Sequence, residues 1–84
     1  MKLSLKAVTL TAGIIWGLSL LIVGVANLLW PPYGKAFLDV MSSIYPGYKQ
    51  QGTLGDVIVG TLYAVVDGGI GGFITAWVYN SFVK

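Results

Sequence analysis

The fold of this chain is decided by residues 65–72, which read Val65-Val66-Asp67-Gly68-Gly69-Ile70-Gly71-Gly72. They lie within an apolar run from Val57 to Val83, which as a helix would extend about 40 Å and cover the hydrocarbon core of a bilayer. A carboxylate at that depth costs about 2.5 to 3.5 kcal/mol, so Asp67 is by default a candidate functional residue. The glycines beside it leave room for another backbone to come close.

The overall composition is also typical of a membrane protein. Of the 84 residues, 56% are hydrophobic and 10% are charged, whereas soluble proteins carry about 25% charged residues. The five basic residues are all lysines and form no cluster, which argues against nucleic-acid binding. With no cysteine and no histidine, the chain lacks the commonest metal ligands and the commonest general base. We therefore expect no enzyme, no cofactor and no metal site.

An earlier apolar run predicts a first transmembrane helix over residues 7–30. It follows Lys2 and Lys6, is stopped by Pro31-Pro32, and would extend about 36 Å as a helix. A cleaved signal peptide is the alternative, because Gly24-Val25-Ala26 imitates a cleavage site. However, the run exceeds the usual apolar length of about 7 to 15 residues, and a second run follows it.

The second transmembrane helix is predicted over residues 54–83, because Thr53 and Asp56 have the spacing of a helix-capping box. Between the two helices, residues 31–53 form the connection. Apolar residues at 37, 38, 41, 44 and 45 have helical spacing and predict a short interfacial helix over about 35–45. A structured loop without a helix is the alternative for that segment.

Together these segments predict a single two-span unit, residues 1–84, of the all-α membrane class. The fold is two transmembrane helices in a helical hairpin, with a short interfacial helix in the connection. Four aromatic residues near the connection are predicted anchors at headgroup level. They are Trp30, Tyr33, Tyr45 and Tyr48.

A hairpin places both termini on one side of the membrane. Lys2, Lys6 and Lys84 would lie on that side, and Lys35 and Lys49 on the other. Because charges before the first span usually set orientation, we expect both termini in the cytoplasm.

Small residues recur on both predicted helices at spacings that bring backbones together. In membranes such rows are helix-packing surfaces. We expect them to support a homo-oligomer or a place in a larger membrane complex, with packing inside an isolated hairpin as the alternative. The residues are Gly13, Gly17 and Gly24 in the first helix, and Gly60, Ala64, Gly68, Gly72 and Ala76 in the second.

Asp67 shares one helix face with Gly60, Gly71 and Ile74, each within about 40° of it. We therefore expect its carboxyl group to point toward a helix contact. Trp16 and Ser19 lie at matching depth in the first helix and are its possible hydrogen-bond donors. Three roles stay open for Asp67: a hydrogen bond joining helices, conduction of ions or protons, or contact with an unrelated subunit.

Three motifs carry a resemblance to a known family. They are Ser43-Ile44-Tyr45-Pro46-Gly47-Tyr48, then residues 67–72, then Ala76-Trp77-Val78-Tyr79-Asn80. The chain resembles, over nearly its whole length, short two-helix bacterial membrane proteins labelled bacteriophage-holin-like. That resemblance implies a protein of the bacterial inner membrane that accumulates, oligomerises and opens membrane lesions that release a cell-wall hydrolase.

Our leading expectation is therefore a holin-like protein that self-associates through its glycine-rich helix faces and alters membrane permeability. The alternatives are a structural or anchoring subunit of a larger membrane complex, and an oligomer that conducts ions or protons through Asp67.

Overall fold

The structure, a computed structural model, describes residues 1–49 and 53–83 and consists there of three α-helices. They are α1 (Leu5–Leu29), α2 (Lys35–Ile44) and α3 (Leu54–Phe82). The all-helical prediction is confirmed, and α1 and α3 are long and apolar enough to cross a membrane, judged by length and composition. Residues 50–52 of the predicted connection, and the Lys84 charge, lie outside the described residues.

Side-chain caps set where the two long helices begin. The Ser4 hydroxyl accepts a hydrogen bond from the Ala7 N–H at 3.1 Å, so α1 begins at Leu5, two residues before the predicted start. The Thr53 hydroxyl accepts from the Asp56 N–H at 3.2 Å, as the capping-box spacing predicted. Each bond satisfies a backbone donor that a helix start leaves unpaired.

Helices α1 and α3 lie antiparallel in a hairpin-like arrangement, in direct backbone contact. A Cβ atom placed on Gly13 would lie 2.8 Å from the Val65 carbonyl oxygen, and one on Gly72 would lie 2.8 Å from the Val8 carbonyl oxygen. Because nonbonded atoms need more room than that, only glycine permits this approach. Ala64 and Ala76 are 0% exposed. The interface is built from small residues whose backbones touch.

Two hydrogen bonds between Leu3 and Asn80, which we call the clasp, join α3 to the segment that precedes α1. The Asn80 side-chain oxygen accepts a hydrogen bond from the Leu3 N–H at 2.7 Å, and its amide nitrogen donates to the Leu3 carbonyl at 2.8 Å. The pair satisfies backbone groups that precede α1. The two described chain ends therefore lie together at one end of the hairpin.

Helix α2 packs across one flank of the hairpin. Leu38 and Met41 on its inner face are buried, while Lys35 and Asp39 form an exposed ion pair on its outer face. The chain bends sharply before and after this packed segment, at Gly34 with φ 67° and at Gly47 with φ 82°. Both angles lie in the left-handed region that favours glycine. These bends direct the connection back along the long helices.

Candidate functional site

A chain of hydrogen bonds reaches Asp67 from the connection. The Trp16 indole N–H donates to the Tyr45 hydroxyl at 2.9 Å. The Tyr45 hydroxyl in turn donates to the Asp67 carboxyl oxygen Oδ2, also at 2.9 Å. One residue from each of the two long helices is thus joined through a side chain of the connection.

Aromatic rings fix the position of the Tyr45 hydroxyl. The Tyr45 and Tyr63 rings are stacked, with centroids 5.3 Å apart and planes 12° apart. The Phe37 ring meets Trp16 edge-on, at 5.9 Å and 83°. Offset stacking and edge-to-face packing are the favourable geometries for aromatic pairs. The hydroxyl is therefore held by packing as well as by its two hydrogen bonds.

The chemistry of this chain of hydrogen bonds is directional. An indole N–H only donates, so the series ends at Trp16 and cannot pass a proton further along α1. Burial raises the pKa of the Tyr45 phenol above its ordinary value, which keeps the proton that it donates to Asp67. The arrangement orients the carboxyl group and gives no continuous proton path through these three residues.

Asp67 does not point into the contact between α1 and α3. Within the single chain Asp67 is exposed on the outside of the hairpin, and its hydrogen bond comes from the connection. Trp16 reaches it only through Tyr45. Ser19, the other predicted partner, donates instead to the Ile15 carbonyl of its own helix. The α1–α3 contact is too close for a carboxyl group, so Asp67 lies beside it.

One face of α3, which we call the Asp67 face, is covered over half its length. It comprises Gly60, Asp67, Gly71 and Ile74. The Tyr48 ring covers Gly60, where an added Cβ would lie 2.8 Å from the ring. Around Gly71 there is nothing within 4 Å of an added Cβ, and Ile74 is exposed. The connection thus covers the half of the face that precedes Asp67 and leaves the other half open.

The predicted anchors divide into two pairs. Trp30 and Tyr33 are 67% and 57% exposed, as an anchor at headgroup level requires, whereas Tyr45 and Tyr48 are each 4% exposed. The prediction that Tyr45 and Tyr48 are anchors at headgroup level is therefore corrected, because both side chains are buried within the chain. Gly47 directs the YPGY turn inward, and both rings pack on α3.

The predicted small packing residues nearly all lie inside the chain. Five glycines are placed along the contact between α1 and α3, Gly60 faces Tyr48, and two alanines are fully buried within the chain. The surface expected to join copies of the chain is therefore largely used inside it. The five glycines are Gly13, Gly17, Gly24, Gly68 and Gly72, and the alanines are Ala64 and Ala76.

Sequence reasoning missed Tyr45 as the partner of Asp67. The two residues are 22 positions apart and belong to different elements, so no local periodicity links them. The available signal was the pairing of a Tyr-Pro-Gly-Tyr turn with a single acid in an apolar helix.

Comparisons with protein-family models, with curated proteins and with solved structures find no match for this chain. In the part of the chain that the structure describes, no group of three or more residues is arranged to hold a metal ion.

Proposed function

We propose that this chain is an integral membrane protein whose helices α1 and α3 cross the bilayer. The support is their exposure: in the most apolar window of each helix, 22% of the residues are buried within the chain. A core helix of a soluble protein would be mostly covered. Large apolar side chains instead cover the outside of both helices. They include Leu10, Ile14, Leu18, Ile22, Leu62, Val66, Ile70 and Ile74.

Exposed aromatic residues at both ends of the hairpin support the same proposal. Trp30 and Tyr33 lie at the connection end, and Trp77 and Tyr79 lie at the end that carries the termini. Tryptophan and tyrosine are enriched at both membrane–water boundaries. The apolar surface between these two sets matches a bilayer that the hairpin crosses from end to end.

The observation that carries the functional proposal is the exposure of Asp67 near the midpoint of α3. Tyr45 satisfies one carboxyl oxygen, and the open half of the Asp67 face begins one turn further on. A carboxyl group facing lipid is unfavourable, and intramembrane acids therefore face protein or water. We propose that a second copy of the chain covers the Asp67 face, its own Asp67 face meeting it about a two-fold axis.

We further propose that this assembly alters membrane permeability in the manner of a holin. The resemblance of the Tyr-Pro-Gly-Tyr and Asp-Gly motifs supports this activity, which involves no chemical turnover. The proposed location is a bacterial inner membrane with both termini in the cytoplasm. Bringing the Asp67 carboxyl groups of two chains together at one depth would give the assembly a polar interior that lipid does not provide.

The first experiment measures assembly directly. The purified chain in mild detergent is sized by native mass spectrometry beside Asp67→Leu and Asp67→Asn. We expect dimers or larger species for the parent chain, monomers for Asp67→Leu, and retained assembly for Asp67→Asn, whose amide still forms hydrogen bonds. A parent chain that is monomeric, or assembly unchanged in Asp67→Leu, contradicts the proposed contact.

The second experiment measures the activity. Overexpression in bacteria should arrest growth and collapse the membrane potential, and Asp67→Leu should do neither at equal expression. A harmless parent chain contradicts the holin-like activity. A fixed partner protein that copurifies favours the structural or anchoring subunit instead. Proton flux in liposomes that is lost in Asp67→Asn while assembly persists favours conduction.

A further inference from the structure

We propose that residues 35–48, which we call the strap, are a hinged cover that controls access of a second chain to Asp67. The strap comprises α2 and the turn that follows it. This inference rests on the proposed function, since it concerns regulation of the same site. It assigns the connection a role other than joining two helices.

The strap occupies the surface that assembly would need. Tyr45 binds the Asp67 carboxyl group, and Tyr48 lies against Gly60, the small residue on the same face. A second helix in backbone contact with Gly60 would collide with the Tyr48 ring, because the ring already occupies that space. The strap and a second chain therefore compete for the first half of the Asp67 face.

The strap is attached in a way that permits it to move as a unit. Gly34 immediately precedes it and Gly47 lies next to its last residue, both with left-handed φ angles. Glycine reaches many other backbone conformations at little cost, so both ends can reorient. Helix α2 has only 10 residues, fewer than an isolated helix needs to be stable in water. Its helical state therefore depends on a surface against which it packs.

A second surface suits the strap when it leaves the hairpin. Leu38 and Met41 form an apolar inner face, while Lys35 and Asp39 are polar and exposed. A short amphipathic helix of this kind is stable at the membrane–water interface. The interfacial position predicted from the sequence thus corresponds to the released strap, and the structure shows the docked one.

The proposal makes two substitutions act in opposite directions. Tyr45→Phe and Asp67→Leu both break the hydrogen bond that holds the strap. Tyr45→Phe leaves the acid in place and uncovers it, so it should increase assembly by about tenfold, the effect of about 1.4 kcal/mol. Asp67→Leu removes the group that the second chain contacts, so it should abolish assembly. A purely structural role for the strap predicts that both substitutions weaken the protein.

Labelling of single introduced thiols tests the strap itself, because the natural chain contains no cysteine. Met41→Cys places a thiol on the buried inner face of the strap, and Val40→Cys is the matched control on its exposed outer face. With a maleimide reagent on the detergent-solubilised chain, we expect Met41→Cys to react at least about tenfold more slowly than Val40→Cys. Adding Tyr45→Phe should bring the two labelling rates close together. Leu38→Cys, a second buried position, repeats the test if Met41→Cys fails to fold.

The outcomes separate this inference from the proposed function. Equal labelling of Met41→Cys and Val40→Cys in the parent background shows an undocked strap and overturns the inference, whatever the assembly state. A protected thiol in Met41→Cys with unchanged or weaker assembly in Tyr45→Phe also overturns it, because the strap then controls nothing. If the thiol in Met41→Cys is protected but the chain never assembles, the strap docks and the proposed function is wrong. The regulatory role of the strap is then overturned as well, because there is no assembly to control.

Discussion

The two interfaces inside this chain are built in opposite ways. Between α1 and α3 the backbones touch at glycines, which have no side chain. A Cβ added at Gly68, for example, would lie 2.7 Å from the Ala12 carbonyl oxygen. Between the strap and the hairpin it consists of large rings and directed hydrogen bonds around Tyr45. The first interface leaves no room for a Cβ at Gly13, Gly68 or Gly72. The second combines ring packing with two hydrogen bonds that share the Tyr45 hydroxyl.

The difference is the basis of our proposal that the hairpin is fixed and the strap moves. Direct backbone contact along two long helices has no alternative packing of similar quality, since any shift brings side chains into the contact. A ten-residue helix with one apolar face has an alternative surface in the membrane interface. In the proposed function the hairpin is therefore the scaffold, and the strap is the element that we propose regulates it.

The largest expected effect separates the two sides of α3. Gly68→Ala places its Cβ 2.6 Å from the Trp16 Cβ, whereas Gly71→Ala meets nothing within 4 Å. Both gain the same helix propensity, so in dilute, monomeric chains their difference isolates overpacking, which costs about 1 to 3 kcal/mol. We expect Gly68→Ala to unfold that much more easily than Gly71→Ala in mixed detergent micelles, followed by circular dichroism. Equal stability of the two variants would contradict the close backbone contact at Gly68.

A smaller and more local effect is expected from Tyr45→Phe. The substitution leaves the Trp16 N–H and the Asp67 carboxyl group without the partner they share, at a cost of about 1.5 kcal/mol. Hydrogen exchange should accelerate about tenfold in α2 and stay unchanged in the centre of α3. The exposed Tyr79→Phe serves as the control. Acceleration spread evenly over all three helices would show that the strap is not a separate unit.

The pH dependence of the strap should follow from its tyrosines. Burial, followed by the nearby Asp56 and Asp39 charges, raises the pKa of Tyr48, and burial also raises the pKa of Tyr45. A pKa raised in the docked state means that docking is fully stable below the ordinary tyrosine value of about 10. Docking then weakens as the pH rises through the higher docked value. Labelling of Met41→Cys, normalised to Val40→Cys, should therefore stay slow up to about pH 9, one unit below that ordinary value. Loss of protection at a lower pH would contradict the role of the two tyrosines in the pH dependence of docking.

The smallest expected effect is on the outer face of the strap. The Lys35–Asp39 pair is exposed, at 60% and 48% of the two side chains, and such pairs spaced four apart contribute about 0.3 to 0.5 kcal/mol. Lys35→Ala should change hydrogen exchange in α2 by about twofold at most, and less at high salt. A change as large as that of Tyr45→Phe would show that the outer face also holds the strap.

The sequence predicted the scaffold better than the strap. Length and apolar composition were enough for α1 and α3, because both depend on local properties of the chain. Most glycines of the small-residue rows lie along the α1–α3 contact, but periodicity alone does not say whether the partner is the same chain or another. The direction of the strap depends on the left-handed turns at Gly34 and Gly47, which no hydrophobic pattern encodes. For the same reason the Asn80–Leu3 clasp, which joins residues 77 positions apart, was not foreseen.

The central claim is that chains meet over the Asp67 face, and disulfide cross-linking in the membrane tests it most directly. Gly71→Cys places a thiol on the open half of that face. Phe73→Cys places one at nearly the same depth but on the opposite side of α3, about 160° from Gly71, where it is also exposed. The natural chain contributes no cysteine. Under mild oxidation we predict dimers from Gly71→Cys and monomers from Phe73→Cys. Dimers from Phe73→Cys alone, or from neither variant, would contradict a contact over the Asp67 face.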